Sequence, residues 1–158
     1  MIKKMIRSAA GFTLVEMLVV VAIIAILASV FLVGLSGFRQ SAYDARRLSD
    51  MQKVQTYLEM YYNKHQAYPT GINDWAGLQT ALADPTNGVG ITSLPTDPAG
   101  GGTYYYSVDA AGQSYVLGAA VTAGAAVYKD SLKTLPSGFS PAIPCGDGTA
   151  NTIYCVKF

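Results

Sequence analysis

Residues that carry enzyme chemistry are scarce in this chain. Its 158 residues include one histidine, His65, and two cysteines, Cys145 and Cys155. A nucleophile–base pair or a tetrahedral metal cluster needs several such groups together, and His65 has no cysteine or second histidine near it. Gly-x-Ser-x-Gly, phosphate-loop and dinucleotide fingerprints are missing too. The glycine-rich "DPAGGG" has no lysine or helical pattern after it and reads as a turn. An enzyme is therefore not expected, and no cofactor is implied. Charge is sparse: 13% of residues are charged and the formal net charge is +1. Bulk electrostatics give no reason to expect nucleic acid as a partner. Proline is absent before Pro69, so nothing in the first third of the chain forces a helix to stop.

What is present begins with a long apolar run. From Met17 to Phe38, 22 residues carry no formal charge. As a helix they would extend roughly 33 Å, enough to span a hydrocarbon layer of ~30 Å. The run is too long for the core of an ordinary secretory signal. The small residues Ser8, Ala9, Ala10 and Gly11 also stand before it, after the basic Lys3, Lys4 and Arg7. A cut after Gly11 would remove the positive leader and leave the apolar helix in place. Positive charge on both flanks (Arg39, Arg46 and Arg47 follow the run) leaves orientation nearly tied by the positive-inside rule. In an exported domain Cys145 and Cys155 would form a disulfide, worth roughly 2–4 kcal/mol; in a cytosolic one they would stay reduced and buried.

Glu16 is the anomaly, because a carboxylate at the head of a lipid-like segment costs a few kcal/mol and marks a functional site by default. The stretch Gly11-Phe12-Thr13-Leu14-Val15-Glu16 after a short basic leader resembles the type III signal of type IV pilins and type II secretion pseudopilins. That resemblance implies cleavage after Gly11 by a membrane prepilin peptidase, which also methylates the new N-terminal Phe12, and an assembly role for Glu16. Physically, the freed α-ammonium of Phe12 is as costly in a low dielectric as the carboxylate. An axial stagger between packed helices can set one subunit's Glu16 beside its neighbour's Phe12 amine. An intrachain contact across four residues, or snorkelling of Glu16 to the headgroups, would be competing arrangements.

Beyond the run, "FRQSAYDARRLSDMQKVQTYLEMYYNKH" continues as helix. Ala45, Leu48, Met51, Val54 or Gln55, Leu58 and Tyr61 or Tyr62 recur at three- and four-residue spacing, the pattern of one face packed on a sheet. Gly34 and Gly37 are mild weak points upstream. Tyr68-Pro69 closes the helix. A short helix is expected from Trp75 to Ala83 with Asn73 or Asp74 as its cap, then a "LPTDPAGGG" turn cluster. "TYYYSVD", an Ala-Gly turn and "QSYVLGAAVT" read as a β-hairpin, with further strands near Ala125 to Tyr128 and Thr152 to Lys157. The fold class is thus α+β: a long N-terminal helix, transmembrane in its first half and amphipathic in its second, packed on a small antiparallel sheet. The chain divides into a leader (1–11), a transmembrane and assembly helix (12–38) and a pilin-like head (39–158). Within the head the helical spine covers 39–65, a loop region 69–102, and the sheet with its cysteine loop 103–158.

Two weaker sites complete the reading. Many main-filament pseudopilins bind calcium in a C-terminal loop, but here Asp147 and Asn151 supply one carboxylate between them, so no metal site is expected. Cysteine-closed C-terminal loops look more like type IV pilins. Lys129, Lys133 and Lys157, with Tyr128 or Tyr154 as stacking surfaces, could form a nucleic-acid edge, although dispersed lysines are usually plain solvation. The resemblance implies a structural subunit of a type IV pilus-like filament. Its partners would be itself, sister pilins, the prepilin peptidase/methyltransferase, an inner-membrane assembly platform with its ATPase, and membrane lipid. The head would lie outside the cytoplasm, first on a single-pass anchor and then in a filament. The alternatives are a type II secretion pseudopilin driving protein export, and an uncleaved signal-anchored binding domain.

Overall fold

The computed structural model describes residues 11–122, 126–146 and 152–158, with side chains at 30–36, 126 and 127 outside that description. Helix α1 covers Leu14–His65, 52 residues. Contacts within the chain separate into two units, Met1–Arg39 and Gln40–Phe158.

In the first unit the helix opens at Thr13, and the residues behind it are apolar all round. Consecutive positions from Leu14 to Val21, Glu16 apart, are exposed hydrophobics, so every face of these turns carries hydrocarbon with no cover from the described chain. Among the described residues no helix is long and apolar enough to cross a membrane. Side chains 30–36, inside the expected span, are outside the description.

The second unit, the head, is an α+β fold. The C-terminal half of α1 and a short helix α2 (Trp75–Ala83) cover one face of an antiparallel sheet of β1 (Tyr104–Asp109), β2 (Tyr115–Ala120), β3 (Phe139–Ser140) and β4 (Ile153–Lys157), in the order β3-β1-β2-β4. The β1–β2 register pairs Tyr104 with Ala119 and Val108 with Tyr115. This fixes alternation: Tyr104, Tyr106, Val108, Tyr115, Leu117 and Ala119 join Met51, Val54 and Leu58 of α1 in one core. The hairpin closes where Asp109 Oδ1 accepts from the backbone N–H of Gln113 (2.7 Å) and Ser114 (3.1 Å). Gly112 there has φ +67°, and a Cβ would press on the Tyr68 carbonyl at 3.2 Å, so the turn requires glycine. Helix α2 is capped by Asp74, whose Oδ1 accepts from Gly77 N at 2.7 Å.

Two expectations need correction. The segment near Ala125 to Tyr128 is not a strand: Ala126–Asp130 forms a 3-10 turn. Both outer positions beside the hairpin are taken, by β3 on β1 and by β4 on β2, so the segment has no edge to join. The apolar stripe of the spine starts late as well. Ala45 is exposed and Leu48 half-buried, while Asp44, Arg47 and Asp50 are the buried residues of those turns. The sheet's second face is also covered. Val116, Ile143, Cys145, Ile153 and Cys155 make a second core with Leu132, Leu135 and Phe139 half-buried against it. Irregular chain, stapled by the Cys145–Cys155 disulfide (Cα–Cα 5.6 Å), builds this layer. It also seals the edge of β4: Leu132 N–H donates to Cys155 O (2.9 Å), and Cys155 N–H donates to Ser131 Oγ (3.1 Å). With β3 only two residues long at the other margin, neither edge invites strand addition.

Candidate functional site

The N-terminal stretch resolves into a capping box. Thr13 N–H and Thr13 Oγ1–H both donate to Glu16 Oε2, at 2.9 and 2.8 Å, and Glu16 N–H donates to Thr13 Oγ1 at 3.2 Å. Two orphan donors of the first turn are thus satisfied reciprocally. Thr-x-x-Glu before an apolar run is the sequence signal for this, and the reading of Glu16 as an assembly group alone passes over it. The intrachain partner of Glu16 is Thr13, not Phe12, and only Oε2 takes part. Oε1 makes no hydrogen bond among the described residues. Gly11 is open, with nothing within 4 Å of an added Cβ, and Phe12 is 78% exposed. Lys3, Lys4 and Arg7 lie outside the described residues.

In the head the sequence-expected sites mostly disperse. Lys129 and Lys133 are exposed, and Lys157 sits over the Phe139 ring at 5.4 Å. Tyr128 is buried with its hydroxyl donating to Val121 O (3.2 Å), so its ring offers no stacking surface. Asp147 and Asn151 lie outside the described residues. Among the described residues no group of three His, Cys, Asp or Glu is placed to hold a metal ion. His65 stacks on Tyr61 at 4.2 Å, and its Nε2 meets the Asn87 carbonyl.

The head's main polar constellation is a clamp that periodicity did not reveal. Arg47 donates from Nε to Asp97 Oδ1 and from Nη1 to Asp44 Oδ1 (2.8 Å). Asp97 Oδ2 accepts from the backbone of Ala99 (3.1 Å) and Gly102 (3.0 Å), and Asp44 from Thr122 N–H (3.2 Å). One guanidinium thereby ties the spine to the "LPTDPAGGG" loop and, through Asp44, to the chain after β2. Gly102 is required, since a Cβ would lie 2.7 Å from the Asp97 carboxyl. The Arg47 hydrogen bond, against the opposing effect of burial, holds the Asp97 carboxyl below the usual range; the Asp97 bond likewise raises Arg47. Asp50 is 5% exposed and accepts from Tyr104 OH at 2.9 Å. At the other end of the spine, Glu59 Oε1 accepts from Tyr68 OH (3.0 Å) and Tyr115 OH (3.2 Å). Burial, reinforced by that bond, pushes the Tyr68 hydroxyl up to about 12.

The chain carries a packed head and, in its other unit, an apolar helix with a charged, capped start and no cover among the described residues. Residues 6–32 match the prokaryotic N-terminal methylation motif. The type II secretion system core protein G of Vibrio cholerae is 35% identical over 112 residues, 66% of this chain and 75% of the relative. Its counterpart in Aeromonas hydrophila is 35% identical over 60% of this chain and 70% of the relative. The type IV wide pilus major component PilA4 of Thermus thermophilus is 40% identical over 62 residues, 39% of this chain and 47% of the relative. No solved structure matches. The chain belongs to the family of type IV pilins and type II secretion pseudopilins.

Proposed function

We propose that the chain is a structural subunit of a type II secretion pseudopilus, a filament that drives folded proteins outward. The observation that carries this reading is alignment length. Similarity to the secretion core proteins reaches 112 residues, well into the head, whereas the match to the pilus component spans 62. Prepilin peptidase cuts after Gly11, and methylation of Phe12 leaves its ammonium charge intact. Residues 1–11 are the leader, 12–38 first anchor the chain in the membrane and then form the filament core, and 39–158 are the head outside the cytoplasm. In the filament Glu16 keeps Oε2 on Thr13 while Oε1 receives the neighbour's Phe12 ammonium, which neutralises two desolvated charges at once. The blocked sheet edges support growth through the apolar helix rather than through strand pairing. Sister subunits, an assembly platform and its ATPase are the partners this mode of growth implies.

The disulfide-closed second core favours a second reading, a type IV pilus subunit. Both readings predict that, in a host with its own assembly system, the N-terminus begins at Phe12 and is heavier by one methyl group. A chain still starting at Met1 would overturn both. A deletion strain separates them: loss of protein secretion supports the pseudopilus, while loss of motility, adhesion or DNA uptake with secretion intact supports the pilus.

A further inference from the structure

A polar cleft of about 290 Å³ opens between α1 and the segment before β1, lined by Arg46, Asp50, Lys53, Tyr57 and the chain from Ser93 to Thr96. Arg46 and Lys53 stand seven residues apart, two turns and about 10.5 Å along one flank of the helix. Asp50 lies between them, four after Arg46 and three before Lys53, where on an ordinary helix surface it would pair with either. It pairs with neither. Tyr104 draws its carboxylate into the core, and the ion pairs among the described residues are only the two that Arg47 makes. Two exposed cations therefore flank a cleft whose own acid is engaged by Tyr104 and neutralises neither of them.

We infer that this cleft receives a carboxylate from a second copy of the chain, and that the carboxylate is Asp130. Among the described acids of the head (Asp147 lies outside them), the accounting singles it out. Asp44 and Asp97 are held by Arg47, and Asp50 and Glu59 by tyrosine hydroxyls. Asp74, Asp84 and Asp109 are committed to backbone N–H groups of their own turns. Asp130, exposed at the end of the 3-10 turn, is the described carboxylate of the head whose side chain has no partner among the described residues. It does not line the cleft, so the contact joins two different patches. Such a heterologous contact repeats from copy to copy, and where its rotation does not close into a ring it builds a helical filament. The inference rests on the filament reading above.

The test is carbodiimide coupling, which joins a carboxylate to an amine in contact, applied to filaments of the full-length chain and read by mass spectrometry of the digest. A Lys53–Asp130 link present in filaments and absent from detergent-dispersed monomers is the expected result. Filaments in which Lys53 links to another acid, to another protein or to nothing would overturn the contact. Failure of the unaltered chain to form filaments would sink the polymer reading itself. As a second arm, Lys53→Glu and Asp130→Lys should each cut filament yield roughly tenfold, and the double swap should restore most of it, as expected of complementary charges. Two harmful single changes without mutual rescue would count against the pairing.

Discussion

The two halves of α1 share one helical backbone and differ in the side chains they carry and in what surrounds them. Between Leu14 and Leu27 apolar side chains face every direction and stay exposed, with Phe12 ahead of them. Between Gln40 and His65 a single stripe is buried, with Met51, Val54 and Leu58 on the sheet and Asp44, Arg47 and Asp50 in a clamp. The second half finds its cover within the chain. The first has none among the described residues, and burying one exposed leucine-sized side chain is worth roughly 1.5–3 kcal/mol, which is the driving force that the proposed membrane anchoring and filament growth would use. The helix in the head is thus held by tertiary packing, whereas the apolar surface of the N-terminal segment is left unpacked among the described residues.

Glu16 gives the sharpest way to break that contrast. Glu16→Gln keeps an amide oxygen for the capping box but removes the charge. It should lower filament yield about 100-fold or more, the scale of breaking a desolvated pair, while thermal melting of the head stays unchanged. Wild-type yield from Glu16→Gln, with loss only in Glu16→Ala, would mean that Glu16 serves as a cap and not as a charge.

Arg47→Met makes the opposite cut. It leaves Asp44 and Asp97 facing each other without their cation and should destabilise the head by about 3–5 kcal/mol. Denaturant melts would read this, and a cost under about 1 kcal/mol would show that the clamp is ornamental.

The clamp should also respond to acid. Because the folded Asp97 sits below its ordinary value, its contribution is complete above about pH 3.9 and fades as pH falls through the lower folded value. The melting temperature should drop below pH 4 in the natural chain and drop less in Arg47→Met. Equal drops would assign the acid sensitivity to other carboxylates.

The smallest effect lies just past the end of α1. Gln66 occupies a left-handed position with φ +58°, where glycine is preferred, and its amide donates to Asn63 O at 3.3 Å. Gln66→Gly should gain up to about 1 kcal/mol in melting experiments if backbone strain outweighs the lost bond.

Local rules carried the sequence reading a long way. Helix α2 lies at the expected residues with Asp74 as its cap, and the tyrosine hairpin and the last strand fall where alternation placed them. Each of these depends on neighbours within a few positions. The expected strand near Ala125 to Tyr128 failed because strand formation depends on a free edge elsewhere in the fold. Ser107, on the face of β1 opposite Tyr104 and Tyr106 by its place in the alternation, is nonetheless fully buried, and its hydroxyl has no partner among the described residues.

The sequence by itself determined the apolar run, the basic residues ahead of it and the Thr13–Glu16 cap, because those rest on hydrocarbon length and on bonds between residues three apart. Only the tertiary structure decided that Arg47 would reach Asp97, 50 positions away, and that Tyr104 would turn Asp50 inward across 54 positions. Buried charges are tolerated where partners from distant segments converge on them, and no local pattern encodes that convergence.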